Sequence, residues 1–131
     1  MASYEVGSGD QEIQLEVKVG TPALANTVVV LRRTSGPVGI ILESDEDSGN
    51  LPLSYVGEAD ELKGGRITIT ANVSLANISP EERAETLESI TTEFILSGGT
   101  EGVMTFTHEA DDVTAPSGNM LAVITKAIKF S

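Results

Sequence analysis

The segment RITITANVSLA, from Arg66 to Ala76, constrains the fold more than any other part of the chain. Ile67, Ile69, Ala71, Val73 and Leu75 fall on one side of a period of two, and Thr68, Thr70, Asn72 and Ser74 on the other. An extended strand with one face in a core separates residues in this way, because successive side chains point to opposite faces. QEIQLEVKV repeats the pattern, with Ile13, Leu15, Val17 and Val19 opposed to Glu12, Gln14, Glu16 and Lys18. Both segments predict half-buried strands.

TVVVLRR is apolar on both sides, at Val28 and Val30 and again at Val29 and Leu31. NMLAVITKAIKF behaves likewise between Leu121 and Ile124. Such strands are central and covered on both faces, or lie against a second subunit, since a long apolar edge left open invites aggregation. A homodimer is the corresponding expectation. VGIIL, PLSYV and VMTFTHE read as shorter strands, the last with Met104 and Phe106 opposed to Thr105 and Thr107. SGGTEG is a hairpin connection and ADDVTAPSGN a polar loop.

Two stretches read as helical. EADELKGG predicts a single turn with Leu62 tucked inward and Gly64 available as a left-handed cap. In SPEERAETLESITTEFILSGG, Ser79, Pro80 and Glu82 have the spacing of a capping box, while the later Thr, Ile and Phe residues favour a strand. The stretch therefore predicts a helical turn over residues 80–86 and a strand from Glu88 to Leu96, with Ile90, Phe94 and Leu96 on one face. The competing reading is one helix through Thr92, with Leu87, Ile90 and Phe94 on its apolar side.

About seven to nine short strands without βαβ alternation define an all-β, two-layer antiparallel sandwich. An immunoglobulin-like or transthyretin-like Greek key is the first choice of topology and a jelly roll the second. The 131 residues are expected to form one domain, 1–131, large enough to bury roughly two-thirds of the surface of the unfolded chain. The absence of cysteine excludes a disulfide framework, a thiolate zinc site and a cysteine nucleophile. MASYEVGSGDQE has neither a basic nor an apolar leader region, and no run approaches the ~18 apolar residues of a membrane span. The chain as given reads as soluble, without a signal peptide, and its compartment is not legible.

The 20 acidic and 8 basic side chains set a net charge of −12, which repels nucleic-acid phosphates and anionic membranes. The sequons at Asn72 and Asn77 carry little weight without a secretory context. The densest acidic run is ESDEDSGN, Glu43 to Asn50, where Asp45, Asp47 and Asn50 are oxygen donors at alternating positions and Gly49 permits a sharp turn. These three residues are the candidate calcium ligands, with Asp111 and Asp112 of another loop as further donors. The run departs from the helix–loop–helix calcium motif, because strands flank it and the bidentate Glu at loop position 12 is missing. The opposing reading is a solvated turn.

His108, the only histidine, lies in HEADD beside Glu109, Asp111 and Asp112, yet no G-x-S-x-G elbow accompanies it. Tyr55 is the one plausible stacking residue in a chain without Trp. SGGTEG and KGGR are glycine-rich but lack phosphate-loop spacing. Arg32 and Arg33 face either a partner's carboxylates or the protein's own. With no nucleotide fingerprint and no cofactor motif beyond the calcium candidate, the sequence predicts no enzymatic activity. It predicts a non-catalytic binding or structural module for an unidentified protein or surface partner. The alternative is a calcium-dependent ligand or surface binder that uses its acidic loops.

Overall fold

A computed structural model describes residues 2–116 and 120–131. Its strands are β1 (Ala2–Tyr4), β2 (Glu12–Gly20), β3 (Leu24–Arg32), β4 (Gly39–Glu43), β5 (Leu51–Glu58), β6 (Arg66–Ser74), β7 (Thr91–Gly99), β8 (Gly102–Phe106), β9 (Val113–Thr114) and β10 (Leu121–Phe130). Two short helices, α1 (Ala59–Leu62) and α2 (Arg83–Ser89), complete the regular structure together with two 3₁₀ turns. The strands form an all-β sandwich of two sheets. The first has the order β1-β10-β6-β3-β4, with β9 also paired to β10, and the second the order β5-β2-β7-β8. All pairings are antiparallel except that of β1 with β10.

The alternation seen in the sequence decides which faces meet. Ile67, Ile69, Ala71 and Val73 of β6 are fully buried, as are Ile13, Leu15 and Val17 of β2, Phe94 and Leu96 of β7, and Ile124, Ile128 and Phe130 of β10. These inward faces interlock as one core, and each large side chain removed from water contributes roughly 1.5–3 kcal/mol to its cohesion. β3 and β10 flank β6, so both doubly apolar strands are interior to the first sheet.

The structure departs from the sequence reading in four places. β3 begins at Leu24 rather than after a longer turn, because Leu24, Ala25 and Asn26 pair with β6 at Ser74, Val73 and Asn72. β1 has no counterpart in the reading, since three residues are too few to show a period; it is held by Ile128, Lys129 and Phe130 of β10. The polar loop after β8 contains a 3₁₀ turn at Ala110–Asp112 and the two-residue β9; its Ser117 to Asn119 lie outside the described residues.

The fourth departure concerns α2, which runs to Ser89, beyond the predicted helical turn over 80–86, so that β7 starts at Thr91 instead of Glu88. Ser79 makes no side-chain cap, and the expected capping box is not formed. The entry to α2 is held instead by Arg83, whose Nε donates to the carbonyls of Leu75 and Ile78, both at 3.0 Å. A guanidinium reaching back to chain carbonyls fixes the entry without the hydroxyl. Ile90, buried at the helix C-cap, then turns the chain into β7.

Among the described residues no helix is long and apolar enough to cross a membrane.

Candidate functional site

The outer faces of the two sheets differ in chemistry. On the second sheet, Glu12, Glu16 and Lys18 of β2 and Glu93 of β7 alternate outward from the buried positions. The first sheet has rungs that can be read directly from its register. Leu121, Ser74 and Leu24 form one; Val123, Asn72 and Asn26 the next; then Thr125, Thr70 and Val28; then Ala127, Thr68 and Val30, with Ile40 of β4 beyond Val30. Across β10, β6 and β3 no ionised side chain interrupts these four rungs. Asn72 Nδ2 donates to Asn26 Oδ1 at 3.1 Å, tying two strands together on this surface. Leu24 is 47% and Ile40 58% exposed, so the face presents apolar as well as hydroxyl and amide groups to its surroundings.

A fifth rung ends the pattern, with Arg32, Arg66 and Lys129 side by side on adjacent strands. Arg33 follows Arg32 and joins the other three around Gly64 and Gly65 in a cleft of about 360 Å³.

The acidic run does not form a free hairpin tip. It leaves β4 and crosses to β5 in the opposite sheet, laced to the start of β3 on the way. Ala25 N donates to Asp47 O at 2.7 Å, Ser44 N to Thr27 O at 2.9 Å, and Thr27 Oγ1 to Gly49 O at 2.6 Å. Thr27, fully buried, is thereby satisfied, as a buried hydroxyl must be. The calcium candidates are distributed over this crossing. Asn50 Oδ1 accepts from Val19 N at 2.7 Å. Asp45 lines a large acidic groove of about 840 Å³ with Glu16, Glu43, Glu46 and Glu93, whereas Asp47 lines a separate depression beside Leu24 and Asn72. Among the described residues no three acidic or histidine side chains are placed to hold a metal ion together. With one oxygen engaged by a backbone amide and the two aspartates in different depressions, millimolar calcium is expected to shift the melting temperature by less than about 1 °C. A calcium-specific rise of several degrees, absent with magnesium and abolished by Asp45→Asn with Asp47→Asn, would establish the site.

His108 faces a hydroxyl rather than a carboxylate: its Nδ1 lies 2.6 Å from Thr92 Oγ1, which also accepts from His108 N at 3.1 Å. Of the neighbouring acids, Glu109 and Asp112 are engaged with each other's backbone around the 3₁₀ turn. Asp112 Oδ2 accepts from Glu109 N at 2.8 Å and from the buried Lys126 Nζ at 3.4 Å, the ion pair that allows a lysine on the inner side of β10. Tyr55 is exposed on the edge strand β5, next to Gln14 of β2. Its phenol pKa is raised above 10.0 by desolvation and by the charges of Glu58, Glu61 and Glu12. Arg33 meets Glu61 only at 4.0 Å, and Arg32 has no acidic partner among the described residues. Arg66 and Lys129 were not singled out from sequence, because 63 positions separate them and only the register of β6 with β10 brings them together.

Searches against protein-family models, curated proteins and solved structures find no match to this chain.

Proposed function

We propose that this chain is a non-catalytic binding and structural module whose contact surface is the outer face of the first sheet, and that its occupant there is a second copy of the chain. The observation that carries this reading is the absence of ionised side chains from four successive rungs of β10, β6 and β3 in a protein of net charge −12. Two copies that approach through any strongly acidic surface bring carboxylates together, and like charges across an interface cost several kcal/mol. Across β10, β6 and β3 they do not, and the carboxylates nearest this face, Glu43 opposite Val28 and Asp47 beside Leu24 and Asn72, lie at its border. Leu24, Val28, Val30, Ile40, Leu121 and Val123 supply the apolar part of such a contact, and the Thr and Asn rows supply hydrogen-bonding groups. The involvement of His108 with Thr92 favours a structural role for the histidine and suits a module without catalysis.

With β4 included, strand spacing and rise make the face roughly 19 Å by 26 Å, about 500 Å² per copy. A symmetric contact therefore buries on the order of 1,000 Å², the low end for specific association, in the class of weak and transient contacts. Light scattering is expected to show a dimer at ~100 µM that dissociates near 1 µM. Added salt strengthens it by screening the net charge. Thr70→Lys, at the centre of the face, is expected to give a monomer with an unchanged circular dichroism spectrum. A clean monomer of the natural chain at ~100 µM overturns the reading. Within the sandwich class we favour the immunoglobulin-like arrangement, on the basis of the crossings between sheets and the parallel pairing of β1 with the final strand.

A further inference from the structure

Half of the chain's eight cations, Arg32, Arg33, Arg66 and Lys129, converge on the cleft at the end of the first sheet. Three of them stand on one rung, Arg66 opposite both Arg32 and Lys129. Residues directly opposite on neighbouring strands hold their Cβ atoms about 4.5–5.5 Å apart, and like charges there are destabilising. Twenty acidic residues are present in the chain, yet among the described residues none forms an ion pair with Arg32, Arg66 or Lys129. The fold thus concentrates positive charge that its own surplus of carboxylates leaves uncompensated.

Arg33 Nε is closed off from solvent, with its Glu61 contact reaching only 4.0 Å, so the contribution of Arg33 to the cleft falls to its terminal guanidinium nitrogens. Gly64 and Gly65, which line the cleft, let the turn after α1 pack closely against the end of β3. A Cβ at Gly65 would lie 2.4 Å from Arg32 O, and one at Gly64 2.7 Å from Thr34 Cγ2. The backbone N–H groups of these glycines are already engaged with Phe130 O and Leu62 O, both at 2.8 Å, so recognition falls to the side chains alone.

We propose that this cleft binds a multiply charged oxyanion of the phosphate type, held by the guanidinium groups of Arg32, Arg33 and Arg66 and the ammonium group of Lys129. Guanidinium forks match phosphate oxygens in pairs, and lysine adds a point charge. A single carboxylate leaves most of the repulsion along the rung in place, whereas a di- or trivalent anion relieves it. The volume of about 360 Å³ lies in the lower part of the range for small-ligand sites and suits a phosphate or pyrophosphate group rather than an extended polymer. The site borders the proposed dimer contact on the same sheet face, one rung beyond Ala127, Thr68 and Val30.

The test is thermal unfolding with inorganic phosphate and with pyrophosphate, each compared with sodium chloride at the same ionic strength. At a concentration about tenfold above the dissociation constant the anion is expected to raise the melting temperature by about 4 °C. Arg66→Thr continues the threonine row of β6 and removes the centre of the cationic rung. It is expected to melt higher than the natural chain without anion, and to lose at least about tenfold in affinity for pyrophosphate. Lys63→Thr, a cation outside the cleft, leaves the response unchanged. Equal stabilisation by chloride, or an undiminished response in Arg66→Thr, overturns the proposal. So does salt-sensitive self-association that Arg66→Thr removes while phosphate has no effect, because the occupant would then be the acidic crossing of a second copy.

Discussion

Gly98→Ala is expected to remove about 4 kcal/mol or more of unfolding free energy, enough to leave little cooperative structure in a domain whose whole stability is about 5–15 kcal/mol. Two effects add. Gly98 has φ +98, a backbone conformation that L side chains rarely adopt. Its missing Cβ would also lie 2.0 Å from Glu12 O and 3.0 Å from Glu12 C. The obstructing atoms belong to the backbone of β2, which is paired on both sides, with β5 and with β7, and has nowhere to retreat. Gly9 is the control. It too has a positive φ, +83, but a Cβ there meets nothing within 4 Å, so Gly9→Ala bears the conformational cost alone, about 1 kcal/mol. Urea unfolding of both variants measures the difference. Equal midpoints for the two would show that the close approach of β7 to β2 is readily relaxed.

The fold was legible where alternation was long. β2 and β6 each run through nine residues, and every inward position named from their sequences is buried. Boundaries were harder where two local preferences compete. Around Glu88 the strand-forming Thr and Ile residues follow directly on a good helix sequence, and the decision rests on Arg83 and Ile90, whose partners are remote contacts or the core. Among the described residues ten strands formed rather than about seven to nine, because β1 and β9 owe their existence to β10 and not to any periodicity of their own.

The candidate surfaces were less legible, for a related reason. Outward-facing Thr, Asn and Val residues carry no signal individually. They become a face only when β10, β6, β3 and β4 are placed side by side, and nothing in the local sequence reports that order. The same holds for the cationic rung. KGGR and KAIKF look like a turn and a strand end until Arg66 meets Lys129. The acidic run was conspicuous, yet its hydrogen bonds to Ala25 and Thr27 depend on a crossing between sheets that composition does not reveal.

Tyr4→Phe is expected to cost about 2–4 kcal/mol at neutral pH and to flatten the alkaline limb of the stability curve. Tyr4 is fully buried on β1, in the first sheet, and its hydroxyl reaches the β7–β8 hairpin of the second. It donates to Gly102 O at 2.5 Å and accepts from Gly99 N at 2.8 Å, so one oxygen joins the two layers near the beginning of the chain. Phenylalanine fills the same space but leaves both backbone groups without that partner. Burial raises the phenol pKa above its ordinary 10.0; the charge of Glu101 acts in the same direction, and the Gly99 N–H opposes them. The unfolded chain therefore releases the Tyr4 proton near pH 10 while the native chain retains it. Below that pH the contribution of the protonated group is fully present, and it falls as pH rises through the native value. Tyr55 titrates in both proteins, so the difference between natural and Tyr4→Phe chains isolates Tyr4. Urea midpoints measured from pH 8 to pH 11.5 are expected to drop more steeply for the natural chain above pH 10. Parallel curves over that range would show that the Tyr4 phenol is not held neutral by the fold.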